Sequence, residues 1–343
     1  MTVSSSNEEV INDDGNNRGS TTMTLPPEPK PNKITTIIFD VDDTLYDVST
    51  SSCRSFVRSF VRPSVHPSHR YALHLCDVFA ISIYLTTGFT SHRNTDGATS
   101  FMIDKLHFKS REEAQAIRDE YFMRYHSTAK GLTAAEIEGR LPPLPDGVTL
   151  PDGRSNLFDP DELDEYWSTR LDFRLLGGRD PDLIETFERM SRHPTWKLKI
   201  VAFSNGPRRY VLRVLEEIGL RDYFDDDRVY GVTDVLPYCK PDVGSFEYVL
   251  GCVGAKPDET VMVEDSMKNI RAAKALGMRT ILVVGRGRMA AGGGGIIGGG
   301  RTVVRGDAEA GTDDVPDETD PSVDAAVEMA SEVGNVLDMW LGP

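Results

Sequence analysis

Cysteine is scarce in this sequence. Among its 343 residues the cysteines are Cys53, Cys76, Cys239 and Cys252. No CxxC pair exists, and the spacings suggest neither a zinc site nor a disulfide framework, so we expect a reducing compartment. A Cys–His hydrolase is disfavoured, because nothing indicates a lowered pKa for the Cys239 thiol and His193 is typical of a helix end.

Positive charge and long apolar runs are also lacking. Lys and Arg total 38 against 54 Asp and Glu, a formal net charge of −16, so nucleic acid is not an expected partner. The most apolar stretch, residues 71–85, is short and contains His74 and Asp77, which argues against a membrane span. The N-terminal residues have neither a secretory nor a transit-peptide pattern, and we therefore expect a cytoplasmic protein without a membrane partner.

Strand and helix patterns alternate regularly from about residue 180 onward. Short apolar runs predict five β-strands, at 33–40, 197–205, 227–235, 260–266 and 279–284. Helical patterns lie between the later strands, and this alternation predicts a parallel sheet covered by helices. A longer helical region follows the first strand. Ser110 with Glu113 forms a capping-box pattern there, and Asp159 before Pro160 marks a second helix start.

The predicted strands end in residues that suit chemistry. These are Asp40 and Asp42, Ser204 and Asn205, Lys240 in the loop before a helix, and Glu264 and Asp265. In a parallel sheet all C-terminal strand ends open on one edge, so these groups should meet. Each of these residue patterns alone can be explained without a function; the first pair of aspartates, for example, could lie in a solvated turn. Their joint occurrence in order indicates a functional site.

This set of groups fits phosphoryl transfer. A carboxylate can attack phosphorus and form an aspartyl-phosphate, and a divalent cation would hold the two negatively charged groups together. Hard oxygen ligands favour Mg²⁺. A lysine and main-chain N–H groups can neutralise the remaining charge, and a second carboxylate two residues after the nucleophile can serve as general acid and base.

Four segments resemble, in order, the four motifs of the haloacid dehalogenase superfamily. They are DVDDTLYD, FSNG, CKPD and VEDSMKNI. The resemblance covers residues 34–48 and 177–285, and it implies an α/β fold with a Rossmann-like parallel sheet core and an inserted α-helical cap domain. Members that cleave carbon–halogen bonds lack the second aspartate, so Asp42 indicates phosphoryl transfer. Within the superfamily, DDTLY, LGGRDPDLIETFERM and AAKALGMRTILV are similar to pyrimidine 5′-nucleotidase-type members.

The resemblance implies a nucleophile and a metal site. Asp40 would be the nucleophile and a Mg²⁺ ligand. Asp42 would be the general acid/base and would give the metal its backbone carbonyl. Asp265 would bind Mg²⁺, directly or through water, with Glu264 in support and Asn269 in the shell behind them.

It also implies a phosphate site. Ser204 and the N–H group of Asn205 would hold the phosphate, and Lys240 would orient both nucleophile and phosphate. Nucleotidase-type members often carry threonine where this chain has Ser204, which is a chemically conservative difference.

We predict several regions along the chain. They are a disordered tail at 1–32, the core at 33–48 and 177–286, the helical cap at 49–176, a glycine-rich and acidic linker at 287–320, and a C-terminal segment packing on the core at 321–343.

Residues 51–87 stand out as an anomalous insertion in the cap. They contain one acid, no lysine and no glycine, but three of the seven histidines and two of the four cysteines, and SFVRSFVR is a tandem repeat. The segment interrupts the point where nucleotidase-type relatives run directly into the first cap helix. We predict that it can be removed, as a retained intron or gene-model error, and a lineage-specific cap insertion is the alternative.

The resulting expectation is a Mg²⁺-dependent phosphomonoester hydrolase acting on a small phosphorylated metabolite, first of all a pyrimidine 5′-mononucleotide. A sugar-phosphate phosphatase or phosphomutase on the same scaffold is one alternative. A non-catalytic interaction protein that retains the fold is the other, and the intact pair Asp40 and Asp42 argues against it.

Overall fold

A parallel β-sheet forms the centre of the protein. The computed structural model describes residues 33–46, 88–144, 158–285 and 316–342. Its strands are β1 (Thr36–Phe39), β2 (Lys199–Phe203), β3 (Val229–Tyr230), β4 (Thr260–Glu264), β5 (Arg279–Val283) and β6 (Ala325–Val327). They form one sheet in the order β3-β2-β1-β4-β5-β6, and every pairing is parallel. The predicted α/β class with a Rossmann-like parallel sheet is confirmed.

Helices lie between the strands along the chain, and one more helix follows the last strand. They are α1 (Phe89–His92), α2 (Ala98–Leu106), α3 (Arg111–Tyr125), α4 (Thr128–Ile137), α5 (Pro160–Arg170), α6 (Pro181–Arg192), α7 (Arg208–Glu217), α8 (Val232–Val235), α9 (Val243–Val253), α10 (Met267–Ala275) and α11 (Val333–Leu341). A π-helical turn, Arg93–Gly97, joins α1 to α2. Within the described ranges no helix is both long and apolar enough to cross a membrane.

Strand β1 lies at the middle of the sheet because its side chains are apolar on both faces. All four of its residues are buried, and Ile37 is in register with Ile200 of β2 and with Val261 of β4. A short strand that is buried on both faces and largely apolar is the pattern expected where helices cover both faces of a parallel sheet. Whatever follows β1 therefore emerges at the centre of the C-terminal edge.

The two predicted helix starts in the helical region are confirmed. The Ser110 hydroxyl accepts the N–H group of Glu113 at 3.1 Å, and Asp159 accepts the N–H group of Asp161 at 2.9 Å. These side chains satisfy backbone donors that have no partner within the helix. Helices α1 to α5 all lie between β1 and α6 in the chain, as a helical cap inserted after the first motif requires.

The prediction of one strand over 227–235 is wrong on both sides of Val229–Tyr230, and Asp226–Arg228 is a 3₁₀ turn. Only Val229–Tyr230 is strand, and Val232–Val235 is the short helix α8. Asp234 explains the change, because its carboxylate accepts the backbone N–H group of Gly231 at 2.8 Å and so caps a helical turn.

The C-terminal segment adds the sixth strand, which the sequence patterns did not predict. β6 pairs with β5, and Thr280 and Asp324 exchange hydrogen bonds beside it. Helix α11 follows the 3₁₀ turn Ala330–Glu332 and contributes Val333 and Leu337 to the core. The predicted tail at 1–32, the anomalous segment 51–87 and most of the linker at 287–320 lie outside the described residues.

Candidate active site

Asp40 leaves the sheet at the end of β1 with its backbone still in register. Its N–H group donates to the carbonyl of Val263 on β4 at 2.9 Å. Its side chain is buried and meets the ammonium of Lys240, whose Nζ lies 2.6 Å from Asp40 Oδ1, 2.8 Å from Glu264 Oε2 and 2.9 Å from the carbonyl of Phe203. All three protons of the ammonium therefore have acceptors, and the lysine is fixed in place.

One buried ammonium thus faces two buried carboxylates. Burial raises the pKa of Asp40 to about 7, with Glu264 adding to the effect and Lys240 opposing it. Burial also raises the pKa of Glu264 to about 7. Burial alone would lower the pKa of Lys240, but the two carboxylates outweigh it and hold it above the usual value. With both carboxylates ionised, the group carries more negative than positive charge, and an added cation would balance that excess.

The residues present fit a small divalent cation. One oxygen of each of Asp40, Glu264 and Asp265 lies within 4.8 Å of the others. Thr44, four residues after Asp40, donates its hydroxyl proton to Asp265 Oδ1 at 3.2 Å and so orients that carboxylate. An all-oxygen set of this kind suits Mg²⁺. The Asp42 side chain is not in this set, so its predicted contribution rests on its backbone carbonyl alone.

The loop after β2 carries the second motif and makes hydrogen bonds to the first and third motifs. Asn205 and Lys240 make a reciprocal pair, because Asn205 Nδ2 donates to the Lys240 carbonyl and the Lys240 N–H group donates to Asn205 Oδ1, each at 2.8 Å. Ser204 Oγ accepts the N–H group of Gly206 at 2.8 Å and donates to Asp42 Oδ2 at 2.8 Å. The structure therefore brings the two predicted phosphate ligands, the lysine and both aspartates to one edge of the sheet.

Asp42 has a different set of partners from Asp40. Its Oδ1 accepts hydrogen bonds from Tyr46 at 2.6 Å and from Tyr210 at 2.5 Å, and it also pairs with the guanidinium of Arg93. Burial would raise the pKa of Asp42, but Arg93 and the hydrogen bonds from Tyr210, Tyr46 and Ser204 outweigh it and hold the pKa below its usual value. Asp42 is thus stabilised as the carboxylate.

Sequence reasoning did not single out Arg93 or Tyr210. Arg93 begins the π-helical turn and is buried, with its guanidinium 5.4 Å from the ring centroid of Tyr210 and 5.8 Å from that of Trp167. Phe89 stacks on Tyr210 at 6.2 Å. Among the sequence signals, Tyr46 lay inside the first motif, but nothing in the helical patterns marked Arg93.

A cap helix also fixes the start of α7. Asp164 on α5 accepts the N–H groups of Arg209 and Tyr210, both at 2.9 Å. Burial raises the pKa of Asp164, although those two hydrogen bonds oppose the shift. The carboxylate satisfies backbone donors at the N-terminus of α7, so cap and core share one hydrogen-bonded junction beside Tyr210.

Cys239 and Asn269 are the remaining residues that the sequence brought into question. Burial raises the pKa of the Cys239 thiol to about 12, so it is no nucleophile. Asn269 is buried on α10, and its role behind the fourth motif stays a prediction.

Comparison with known proteins identifies the family. A family model described as haloacid dehalogenase-like hydrolase matches residues 34–277, and the chain belongs to this family. The chain is 31% identical over 99 residues to phosphoglycolate phosphatase 1 of Pseudomonas aeruginosa, which is 29% of this chain and 34% of that protein. It is 33% identical over 87 residues to the phosphoglycolate phosphatase of Chromobacterium violaceum, 25% of this chain and 38% of that protein. The chain thus spans little more than a third of these relatives.

Solved structures give matches of lower identity. The L-2-haloacid dehalogenase of Xanthobacter autotrophicus matches with a TM-score of 0.45 and 16% identity, over 89% of this chain and 98% of that one. A haloacid dehalogenase-type phosphatase of Thermococcus onnurineus matches with a TM-score of 0.44 and 19% identity, over 89% and 98% of the two chains.

Proposed function

We propose that this protein is a Mg²⁺-dependent phosphomonoester hydrolase that works through an aspartyl-phosphate on Asp40. The observation that carries the proposal is the position of Asp40, which is buried at the end of β1 and held at 2.6 Å by Lys240, beside the acidic cluster with Glu264 and Asp265. Asp40, Asp265 and the backbone carbonyl of Asp42 would hold the metal, with Glu264 in support. Bound Mg²⁺ would offset the charge repulsion between a carboxylate and a phosphate dianion.

The reaction has two steps on this chain. A carboxylate oxygen of Asp40 attacks phosphorus, the bond to the leaving oxygen breaks, and Asp42 gives that oxygen a proton. Asp42 then takes a proton from a water molecule, whose oxygen attacks phosphorus, and the acyl-phosphate bond breaks to release inorganic phosphate and free Asp40. Ser204 and the N–H group of Asn205 hold the phosphate oxygens through both steps, and the ammonium of Lys240 orients Asp40 and offsets the negative charge of the phosphate.

The two carboxylate oxygens of Asp42 have different hydrogen-bond partners and different proposed roles. Arg93, Tyr46 and Tyr210 all bind Oδ1, whereas Ser204 alone among these groups binds Oδ2. When Ser204 turns its proton to an arriving phosphate, Oδ2 is released toward the leaving oxygen while Oδ1 stays anchored. The lowered pKa keeps Asp42 ionised, which is the form that the base step requires. For the acid step, the negative charge of the phosphate favours the protonated form.

The similar proteins favour a different substrate class from the pyrimidine nucleotides that the nucleotidase-like motifs predicted. Both sequence relatives described above are phosphoglycolate phosphatases, and they favour a small phosphorylated metabolite, close to the sugar-phosphate alternative. No comparison supports the pyrimidine 5′-mononucleotide that we expected from the motifs. We therefore place small phosphorylated acids and sugar phosphates before nucleotides.

The test is phosphate release from a panel of monoesters with Mg²⁺, with EDTA and with excess Ca²⁺. The panel contains 2-phosphoglycolate, sugar phosphates and pyrimidine mononucleotides. We expect release only with Mg²⁺ and inhibition by Ca²⁺, which takes about 6–8 ligands at longer distances and would misplace the nucleophile. Full activity in EDTA would refute the metal assignment. Isomerised product with slow release would favour a mutase, and no activity on any ester would favour an interaction protein.

A further inference from the structure

Tyr210 contacts the proposed acid/base residue with its side chain and the cap with its backbone. Its hydroxyl donates to Asp42 Oδ1 at 2.5 Å and accepts a hydrogen bond from Arg93 Nη1 at 2.8 Å. Its N–H group donates to Asp164 Oδ1 at 2.9 Å. The tyrosine is fully buried, so water does not compete for these contacts. A shift of Tyr210 would therefore move one of the partners that hold Asp42.

Asp164 supplies a helix cap that the sequence around α7 lacks. Pro207 precedes the helix and has no side-chain acceptor, so the first N–H groups of α7 need partners from elsewhere. Asp164 accepts two of them, from Arg209 at Oδ2 and from Tyr210 at Oδ1, each at 2.9 Å. Because both carboxylate oxygens are used, the N-terminal turn of α7 is fixed against α5.

The ring of Tyr210 is held by aromatic side chains of the cap. Trp167, three residues after Asp164 on α5, packs edge to face against it with the ring centroids 5.6 Å apart. Phe89 of α1 lies parallel to it with the centroids 6.2 Å apart. Residues three apart lie on the same face of a helix, so one face of α5 holds both the backbone and the ring of Tyr210. These contacts direct the phenol hydroxyl at Asp42.

Helix capping alone does not require such an arrangement. Asp180 caps α6 from the position directly before that helix, where its partly exposed side chain accepts the N–H group of Asp182 at 3.0 Å. Asp164 instead acts across 45 residues of sequence, and its burial raises its pKa, so the ionised form is costly to keep. A buried carboxylate that joins cap and core beside Asp42 is a reason to look for a role in the reaction.

We propose that Asp164 is a positioning residue that acts through Tyr210 on Asp42, so that contact between cap and core orients the acid/base group. This inference rests on the proposed phosphatase function. Asp42 Oδ1 then depends on the cap in two ways, directly through Arg93 and indirectly through Tyr210. Asp164 needs no contact with the substrate for this role.

The consequence is a dependence on the leaving group. An alkyl phosphate releases a basic oxygen that needs a proton from Asp42, whereas p-nitrophenolate leaves without one. A poorly oriented Asp42 therefore slows phosphoryl transfer from an alkyl ester more than from p-nitrophenyl phosphate. The measured quantity is the ratio of kcat/KM for the alkyl phosphate that the wild type hydrolyses fastest to kcat/KM for p-nitrophenyl phosphate. Both values come from one preparation, so the ratio does not depend on the fraction of enzyme that is folded.

The first experiment uses Tyr210→Phe, which removes the hydroxyl and keeps the ring. We expect the ratio to fall by about tenfold to a hundredfold, as for a lost hydrogen bond to a charged group. Tyr166→Phe is the matched control, because the Tyr166 hydroxyl donates to Asp104 at 2.6 Å on the exposed side of the cap and its loss should leave the ratio unchanged. An unchanged ratio in Tyr210→Phe overturns the proposal.

The second experiment tests Asp164 itself. Asp164→Asn replaces one acceptor with an NH₂ group that faces an N–H donor, so the start of α7 is no longer fixed. We expect the ratio to fall by about twofold to tenfold, and the double variant with Tyr210→Phe to have the ratio of Tyr210→Phe alone. Asp180→Ala, which removes an ordinary cap, should lower the melting temperature and leave the ratio unchanged.

Two outcomes at Asp164 overturn the proposal. If Asp164→Asn leaves the ratio unchanged, whatever its melting temperature, the carboxylate is a structural cap only. If the losses in the double variant multiply, Asp164 does not act through Tyr210. The proposed function fails separately, if wild-type protein with Mg²⁺ hydrolyses no ester, including p-nitrophenyl phosphate.

Discussion

The two aspartates of the first motif lie two residues apart but in opposite environments. Asp40 shares one ammonium with a second carboxylate, and its pKa is raised to about 7, mainly by burial. Asp42 forms an ion pair with the guanidinium of Arg93, and its pKa is lowered. With its carboxylates ionised, the first environment carries surplus negative charge and suits a cation, whereas the charge of Asp42 is balanced by Arg93. Like residues can take unlike roles because different elements surround them.

The largest effect should come from Asp40→Asn. The amide cannot form the acyl-phosphate bond, so turnover should fall by many orders of magnitude while the fold persists. The measurement is phosphate release together with melting temperature. Asp258→Asn, at an exposed aspartate in the turn before β4, is the control and should keep wild-type turnover. Measurable steady-state turnover by Asp40→Asn would show that another group is the nucleophile.

Asp42→Asn should have the next largest effect. General acid–base catalysis contributes about 10²- to 10⁴-fold, so kcat should fall by about that factor and phosphoenzyme should accumulate. Steady-state phosphate release measures kcat, and rapid quenching with labelled substrate measures the amount of phosphoenzyme. An altered KM with an unchanged kcat would contradict the acid/base role.

The core half of the site could be predicted because its residues follow strands directly. Asp40, Ser204 and Glu264 each end a short apolar run, and parallel topology brings such ends to one edge whatever the details of packing. The lysine in the loop before α9 was found for a similar reason, as it precedes a recognisable helix. Short-range patterns and one rule of topology were sufficient here.

The cap half could not be predicted, because its geometry depends on packing between distant segments. Arg93 lies in an irregular π-helical turn, and its contact with Tyr210 spans 117 residues of sequence. Sequence periodicity does not reveal Arg93, because its role depends on the side chains that it contacts in the folded protein. The strand β6 escaped notice for a related reason, since three residues are too few to show alternation and their register comes from β5.

Arg93→Met tests the cap half with a smaller expected effect. Removing a charged partner of Asp42 should lower kcat by about tenfold to a hundredfold, because Oδ1 loses its strongest anchor, while KM changes little. Arg93→Lys should recover part of the loss. Arg209→Met, at an exposed arginine on α7, is the control.

The role of Arg93 as a positioning residue requires more than a loss of rate. If it acts through Asp42, the double variant with Asp42→Asn should be no slower than Asp42→Asn alone. Losses that multiply would instead mean that Arg93 acts independently, for example on the cap as a whole. A parallel drop in melting temperature and in the fraction of active enzyme would indicate a structural role only.

The smallest effect should come from deleting residues 51–87. Their composition differs from the rest of the chain, and they contain a tandem repeat between the first motif and the cap entry. Every proposed catalytic, metal and phosphate ligand lies outside the segment, as does Arg93. We therefore expect the shortened chain to keep the melting temperature and phosphatase rate of the full chain, with equal or better solubility, since an apolar run such as 71–85 promotes association when exposed. Both chains would be expressed side by side and compared by thermal melting and phosphate release. If the shortened chain fails to fold or loses activity, the segment is a true part of the cap and the sequence anomaly has a structural purpose.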